Sequence, residues 1–280
     1  LDFHGDMESY FLAKASLFKF SFADLACINI DDTYGARLAT ATELPVITIS
    51  RSNPQALWHF IEIDSQSKRV QLKIRGTGGI LIETSTLIRG GYNFDNLLMA
   101  VALAVELGVD PIDIATIVPN IKGAAGRLEE IAVGQGFTAL VDYAHTPDAV
   151  SNVLASIREF TTGKVIAVLG CGGDRDPMKR PLMGQALNAN VDIAVFTSDN
   201  PRTENPDAIL KAMTAGIDIA QPSRIISDRA EAITYAVSLA DAGDTVAVLG
   251  KGHELGQEIN GNTLDFDDRV ILAKAIEAKR

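Results

Sequence analysis

One rhythm runs through the second half of this chain: a short apolar run rich in β-branched residues, a polar loop, then a helical stretch. The runs are FTALVDY (137–143), KVIAVLG (164–170), VDIAVFTS (191–198), SRIISD (223–228) and DTVAVLG (244–250). Helical patterns fill the gaps over 147–160, 178–188, 205–215 and 230–242, and a last helix is expected over 267–279. Strands that are apolar on both faces and alternate with helices indicate a parallel, doubly wound α/β sheet, Rossmann-like in architecture.

The first half reads as a different α/β unit. A helix over ESYFLAKASLFKF places Phe11, Lys14 and Phe18 on adjacent turns. LACINI (25–30) and VITIS (46–50) are strands flanking turn chemistry at Asp31, Asp32 and Gly35 and a helix over 36–44. ALWHFIEI, RVQLKIR and ILIETSTL alternate as antiparallel strands, with Trp58 and His59 as sheet residues. An apolar helix over 93–107 ends at Gly108, and Pro111 suits the first turn of another. The boundary between the halves is expected at Lys122.

Composition narrows the functional classes. The 280 residues carry a net charge of −11, which argues against a nucleic-acid partner needing a basic face. Local Arg, Lys and backbone N–H groups can still hold phosphate. Cys27 and Cys171 stand far apart in no paired spacing, which suggests a reducing, cytoplasmic setting. The longest apolar run, 97–105, is too short to span a bilayer, so no membrane partner is expected.

In open α/β sheets, ligands bind beyond the carboxyl ends of the strands. Four strands here run directly into unusual polar loops: DYAHTPD (142–148), GCGGDRD (170–176), SDNPRTE (198–204) and GKGHE (250–254). An ordinary βα loop needs a turn residue and a helix cap, which Thr146 before Pro147 supplies. These loops also carry Asp, His, Arg, Lys and Glu, so we read them as one site. The glycines of GCGGDRD do not follow G-x-G-x-x-G spacing, which excludes a dinucleotide fingerprint. Alone, DNPR is a proline turn with a solvated arginine, and GKGHE is as easily a loop with a surface lysine.

Together, DYAHTPDA, GCGGDRDPMKRPLMG, TSDNPRTENP, GKGHE and the later FDDR resemble the Mur ligase family in identity, order and spacing; GYNFDNLLMA (91–100) and GAAGRLEE (123–130) match too. The resemblance implies a partial central ATPase domain over 1–122 and a C-terminal amino-acid-binding domain over 123–280. It implies ATP and Mg²⁺ as cofactors and an acyl-phosphate route to an amide bond. The branch most resembled adds the third peptide residue to UDP-MurNAc-L-Ala-D-Glu in peptidoglycan synthesis. DNPR resembles the adders of meso-diaminopimelate, since lysine adders usually lack that arginine. A lysine adder, a folylpolyglutamate or cyanophycin type of ligase, and a non-catalytic binding module remain the alternatives.

The resemblance also implies roles. Asn93 and Asn96 lie near adenine, Arg127 contacts phosphate or ribose, Asp142 holds the ribose, and His145 stands beside the nucleotide. Arg175, Asp199, Asn200, Arg202, Gly250 and Glu254 hold the incoming amino acid, the arginines facing carboxylates and the acids facing ammonium. Lys14 matches the family's carbamylated lysine; a carbamate would give Mg²⁺ an anionic oxygen ligand. His4 is expected to order its loop. A G-x-x-x-x-G-K-[ST] turn is absent, as is a domain for the UDP end. The chain is therefore expected to be an N-terminally truncated monomer that does not turn over alone.

Overall fold

Strand pairing divides the chain in two. In the computed structural model, which describes residues 6–65 and 69–279, one unit covers residues 1–122 and the other 123–280. His4 lies outside the described residues.

The first unit holds a five-stranded sheet in sequence order: β1 (Ala26–Asn29), β2 (Val46–Ser50), β3 (Trp58–Asp64), β4 (Val70–Arg75) and β5 (Leu81–Thr86). The first three strands run parallel and the last two turn back antiparallel. Trp58, Phe60, Leu72, Ile74 and Ile82 project into a core closed by Phe94, Leu97, Leu98 and Val101 of helix α3 (Gly91–Glu106). Trp58 is fully buried, and its indole N–H still finds a partner, donating to Glu106 Oε1 at 2.8 Å.

Caps move two helix boundaries from their expected positions. Helix α1 (Met7–Ala15) begins after Asp6, whose carboxylate accepts from the Ser9 N–H at 2.7 Å. It stops at Ala15, so Phe18 falls outside it and packs instead with Ala26, Ile28 and Leu44. Helix α2 (Thr33–Ala41) begins three residues early, because Asp32 accepts from the N–H groups of Tyr34 and Gly35. Helix α4 (Pro111–Ile117) opens on its proline as expected.

The second unit is the doubly wound sheet. Its strands are β6 (Glu129–Glu130), β7 (Thr138–Asp142), β8 (Val165–Cys171), β9 (Ile193–Ser198), β10 (Arg224–Ile225) and β11 (Thr245–Leu249), in spatial order β10-β9-β8-β11-β7-β6. Strands β7 to β11 are parallel, and β6 alone runs antiparallel at the edge. Val141, Val168, Val195 and Val248 face helices α8 (Arg229–Leu239) and α9 (Asp268–Lys279). Residues of the other parity turn to the opposite face, where α6 (Lys179–Asn190) and α7 (Pro206–Met213) pack on β8 and β9. Helix α5 (Pro147–Phe160) follows β7 and packs on α6. No helix among the described residues is long and apolar enough to cross a membrane.

Two expectations change. SRIISD yields two paired residues, both exposed, because β10 is an edge strand with a neighbour on one side. An unanticipated hairpin follows the last sheet strand: β12 (Gly256–Ile259) and β13 (Asn262–Asp265), turning through Asn260 and Gly261 at φ of 50° and 73°. Asn-Gly is the usual sequence for such a left-handed two-residue turn.

One ion pair ties the carboxyl edge of the sheet together. Arg229 and Asp268, both at 0% side-chain exposure, form a two-pronged contact at 2.8 and 2.7 Å. The same guanidinium donates to the carbonyls of Ser198, at the end of β9, and Leu249, at the end of β11. Loss of one partner strands the other's charge in the interior. Asp268→Asn should therefore lower unfolding free energy by about 3–5 kcal/mol in urea titration, whereas the apolar pair Arg229→Met with Asp268→Leu should lose much less.

Candidate functional site

Because β7, β8, β9 and β11 are parallel neighbours, their four polar loops emerge along one edge of the sheet. Glycines let these loops approach. A Cβ on Gly170 would lie 2.6 Å from the Thr197 carbonyl, and one on Gly173 would lie 2.0 Å from that of Pro201. Gly250 has φ of 109°, and its Cβ would lie 2.8 Å from Asp199 Oδ2.

The DNPR loop is held from both sides. Its Asn200 carbonyl accepts from Gly173 N–H at 2.8 Å, and Arg202 Nη1 donates to Gly173 O at 2.7 Å. On the other side, Arg202 N–H donates to Glu258 O at 2.9 Å, and its Nε lies 3.3 Å from the Glu258 carboxylate. The hairpin thus fixes the loop that carries the arginine. Arg202 and Asp174 both sit at left-handed φ, 51° and 52°, on facing loops that Thr203 Oγ1 joins to Asp174 at 2.8 Å. Strained non-glycine residues concentrate where neighbouring structure dictates their pose. A buried Arg180 braces the same pair of loops through Glu204 at 2.7 Å.

Beneath them lies a compact charge cluster. Lys251, with 0% side-chain exposure, donates to Asn200 Oδ1 and Glu254 Oε2, each at 3.0 Å, and to Gly256 O at 2.7 Å. Asn200 Nδ2 donates to the same Glu254 oxygen at 2.8 Å. Burial alone would raise the Glu254 carboxyl, but Lys251 and Asn200 outweigh it and hold the group below the usual range. Asp199 behaves oppositely: burial raises its carboxyl against the pull of Arg229 and Lys251. The charges that bear on Asp199 are Arg229, Lys251, Glu254 and Asp268. Arg202 in turn acts on Glu254 and helps to keep it ionised, so acids and cations alternate along this edge. Cys171, at the end of β8, is no nucleophile here; burial and the nearby Asp199 push its thiol up to about 12.

Arg175 is exposed, with its Cγ 3.9 Å from where a Gly172 Cβ would stand; Arg202 Nη1 is 3.0 Å from that point. The two expected carboxylate-binding arginines thus share one glycine neighbour. At the end of β7, Asp142 is 3% exposed, and its oxygens accept from the N–H groups of Leu128 and Ala144, each at 2.8 Å. The acid thereby pins the 123–128 segment and its own loop. The Tyr143 ring lies 5.3 Å from the Arg127 guanidinium and 4.7 Å from the His145 ring. This pairing of cation and aromatic surface suits a phosphate-bearing planar ligand.

In the first unit, Asn93 and Asn96 lie one turn apart on α3; Asn93 is half-buried and donates to Arg89 O at 3.0 Å, while Asn96 is exposed. Lys14 is exposed on α1, its ammonium 5.6 Å from the Tyr10 ring centroid. Sequence reasoning missed Lys251, Arg229, Asp268, Glu258 and Tyr143. Asn260-Gly261 is a turn signal that could have found the hairpin carrying Glu258, whereas nothing local marks Arg229 as a partner of Asp268, 39 residues away.

Two family models match the chain: the Mur ligase middle domain over residues 1–104 and the Mur ligase glutamate ligase domain over residues 126–252. The chain belongs to the Mur ligase family. Among its relatives is the UDP-N-acetylmuramoyl-L-alanyl-D-glutamate--2,6-diaminopimelate ligase of Streptomyces coelicolor, 44% identical over 99% of this chain and 56% of the relative. A solved structure of a ligase of that name is 37% identical, with a TM-score of 0.68 over 98% of this chain and 57% of its own. A Mycobacterium tuberculosis folylpolyglutamate synthase solved with ADP and AMPPCP shares the fold, with a TM-score of 0.68 at 19% identity over 88% of this chain and 57% of that one. The chain thus spans a little over half the length of these relatives.

Two substitutions separate scaffold from site. Gly250→Ala forces a side chain into left-handed backbone against Asp199 and should reduce stability by about 1–3 kcal/mol in denaturant titration. Asp199→Asn should do the reverse at neutral pH. A carboxyl raised in the folded state is penalised once pH climbs above its ordinary value of 3.8, and the amide removes that penalty. The variant should therefore melt above the wild type at pH 7, with the difference shrinking as pH falls toward 3.8.

Proposed function

We propose that this chain forms the amino-acid-receiving part of an ATP-dependent amide ligase that adds meso-diaminopimelate to UDP-MurNAc-L-Ala-D-Glu in peptidoglycan synthesis. The observation carrying this reading is the charge pattern of the loop edge: Glu254 and Asp199 lie on the same edge as two arginines, Arg202 and Arg175, that share Gly172 as a neighbour. A diamino diacid has the complementary groups. Arg202 and Arg175 would take carboxylates, with the planar fork of Arg202 aimed by Gly173 and Glu258. Glu254 and Asp199 would take an ammonium. The family resemblance and relatives named as 2,6-diaminopimelate ligases support the same substrate.

The residues present fit a nucleotide as well. Arg127, Tyr143 and His145 offer a cation and aromatic faces, and Asp142 holds the segment bearing Arg127. Asn93 and Asn96 on α3 are proposed as adenine contacts. ATP would supply the phosphoryl group that activates the acceptor carboxylate, and Mg²⁺ the neutralisation of phosphate charge. Lys14, exposed on α1, has room to accept CO₂; as a carbamate it would add an anionic oxygen for the metal. For its own part, the chain would hold the amine-bearing substrate, exclude wrong side chains and orient the attacking nitrogen. We place this work in the cytoplasm, where ATP is available, with the chain acting as a monomer.

Isothermal titration of the chain with meso-diaminopimelate and with L-lysine tests the reading. The diacid should bind at least about tenfold more tightly, since lysine leaves an arginine without its carboxylate. Arg202→Lys should erase most of that preference. Equal or tighter binding of lysine would contradict the assignment.

A further inference from the structure

A lysine in a glycine-rich loop at the end of a parallel strand invites reading as a phosphate ligand. The geometry of Lys251 points elsewhere. An ammonium has three N–H donors. Those of Lys251 meet three acceptors: Asn200 Oδ1, Glu254 Oε2 and Gly256 O. The side chain is wholly buried, so it has neither a donor nor a surface to offer a ligand. Two of its acceptors belong to side chains assigned above to the incoming amino acid.

The surrounding bonds make the arrangement rigid. Asn200 Oδ1 also accepts from the Glu258 N–H at 3.0 Å, and Asn200 Nδ2 reaches Glu254 Oε2 at 2.8 Å. Lysine, asparagine and glutamate therefore close a triangle, anchored to the hairpin through Glu258 and Gly256. Inside it, Glu254 Oε2 is claimed twice. Oε1 is the oxygen left to face solvent, and the glutamate side chain as a whole is 36% exposed.

We propose that Lys251 is a positioning residue: it fixes Asn200 and Glu254 from below and presents Glu254 Oε1 as the oxygen that meets the substrate ammonium. The second half of this statement rests on the reading given under Proposed function; the first does not. Three consequences follow. The ammonium of Lys251 stays in place when ligand arrives. Glu254 stays ionised because of its buried partner. Loss of the lysine frees the glutamate without removing a substrate contact.

Two nuclear magnetic resonance measurements and one calorimetric measurement test this on the whole chain. With glutamate side-chain carboxyls labelled, Glu254 should titrate below ordinary glutamate in the wild type and move upward in Lys251→Met. With lysine Nζ labelled, Lys251 should show a slowly exchanging ammonium whose shift barely changes on adding meso-diaminopimelate, while the Asn200 side-chain amide shifts. Calorimetry should find Lys251→Met weakened for the same ligand by about ten- to a hundredfold, comparable with Glu254→Gln. An unchanged Glu254 titration, or a large Nζ shift on ligand addition, would overturn the proposal; the latter would make Lys251 a direct contact. The wild-type measurements decide the matter even if Lys251→Met fails to fold. If meso-diaminopimelate does not bind the wild type while Glu254 and Lys251 behave as stated, the substrate reading fails and the positioning role stands.

Discussion

Two buried cations organise the carboxyl edge of the second unit. Arg229 reaches the ends of β9 and β11 through their carbonyls, and Lys251 ties the loops that follow those strands through Asn200 and Glu254. Burying a charge is tolerable when each polar atom finds a partner. Asp268 answers Arg229 on two prongs, and three acceptors answer Lys251. The loops are therefore set by electrostatics under the surface, and the residues above them inherit their positions.

That scaffold fixes the pose of Arg202. A guanidinium on a mobile loop gains little from one carboxylate, because ordering the side chain consumes most of the interaction. Arg202 is ordered beforehand by Gly173 O, by Glu258 and by a left-handed backbone that its neighbours impose. The opposite displacement of the Glu254 and Asp199 carboxyls arises from the same construction: one shares an oxygen with Lys251 and Asn200, whereas at the other desolvation outweighs the pull of Arg229 and Lys251. Divergent environments for neighbouring acids mark sites that handle charged ligands.

The alternating rhythm of strands and helices was legible in the sequence because it depends on local patterning. So was the convergence of the four polar loops, since neighbouring parallel strands end on one edge. DNPR and GKGHE, each bland alone, drew notice because four such polar loops follow parallel strands. What escaped were relations across long separations. Arg229 stands just before one expected helix and Asp268 in the first turn of another, and no periodicity pairs them. Lys251 could as easily be a surface lysine as a site residue on its sequence, and only the packed geometry shows it fully buried. Phe18 left its expected helix because burial with Ile28 and Leu44 outweighed helical propensity. The hairpin after GKGHE carried its own signal in Asn260-Gly261, overlooked because the surrounding pattern pointed to parallel strands.

Receipt of a diamino diacid at the loop edge of the second unit is decided by mapping backbone and side-chain amide shifts of the ¹⁵N-labelled chain during titration with meso-diaminopimelate. Saturable changes concentrated at Gly172 to Arg175, Asp199 to Arg202 and Gly250 to Glu258 are the predicted result. Saturable changes confined to other surfaces, or no change at ligand concentrations in the millimolar range, would contradict it.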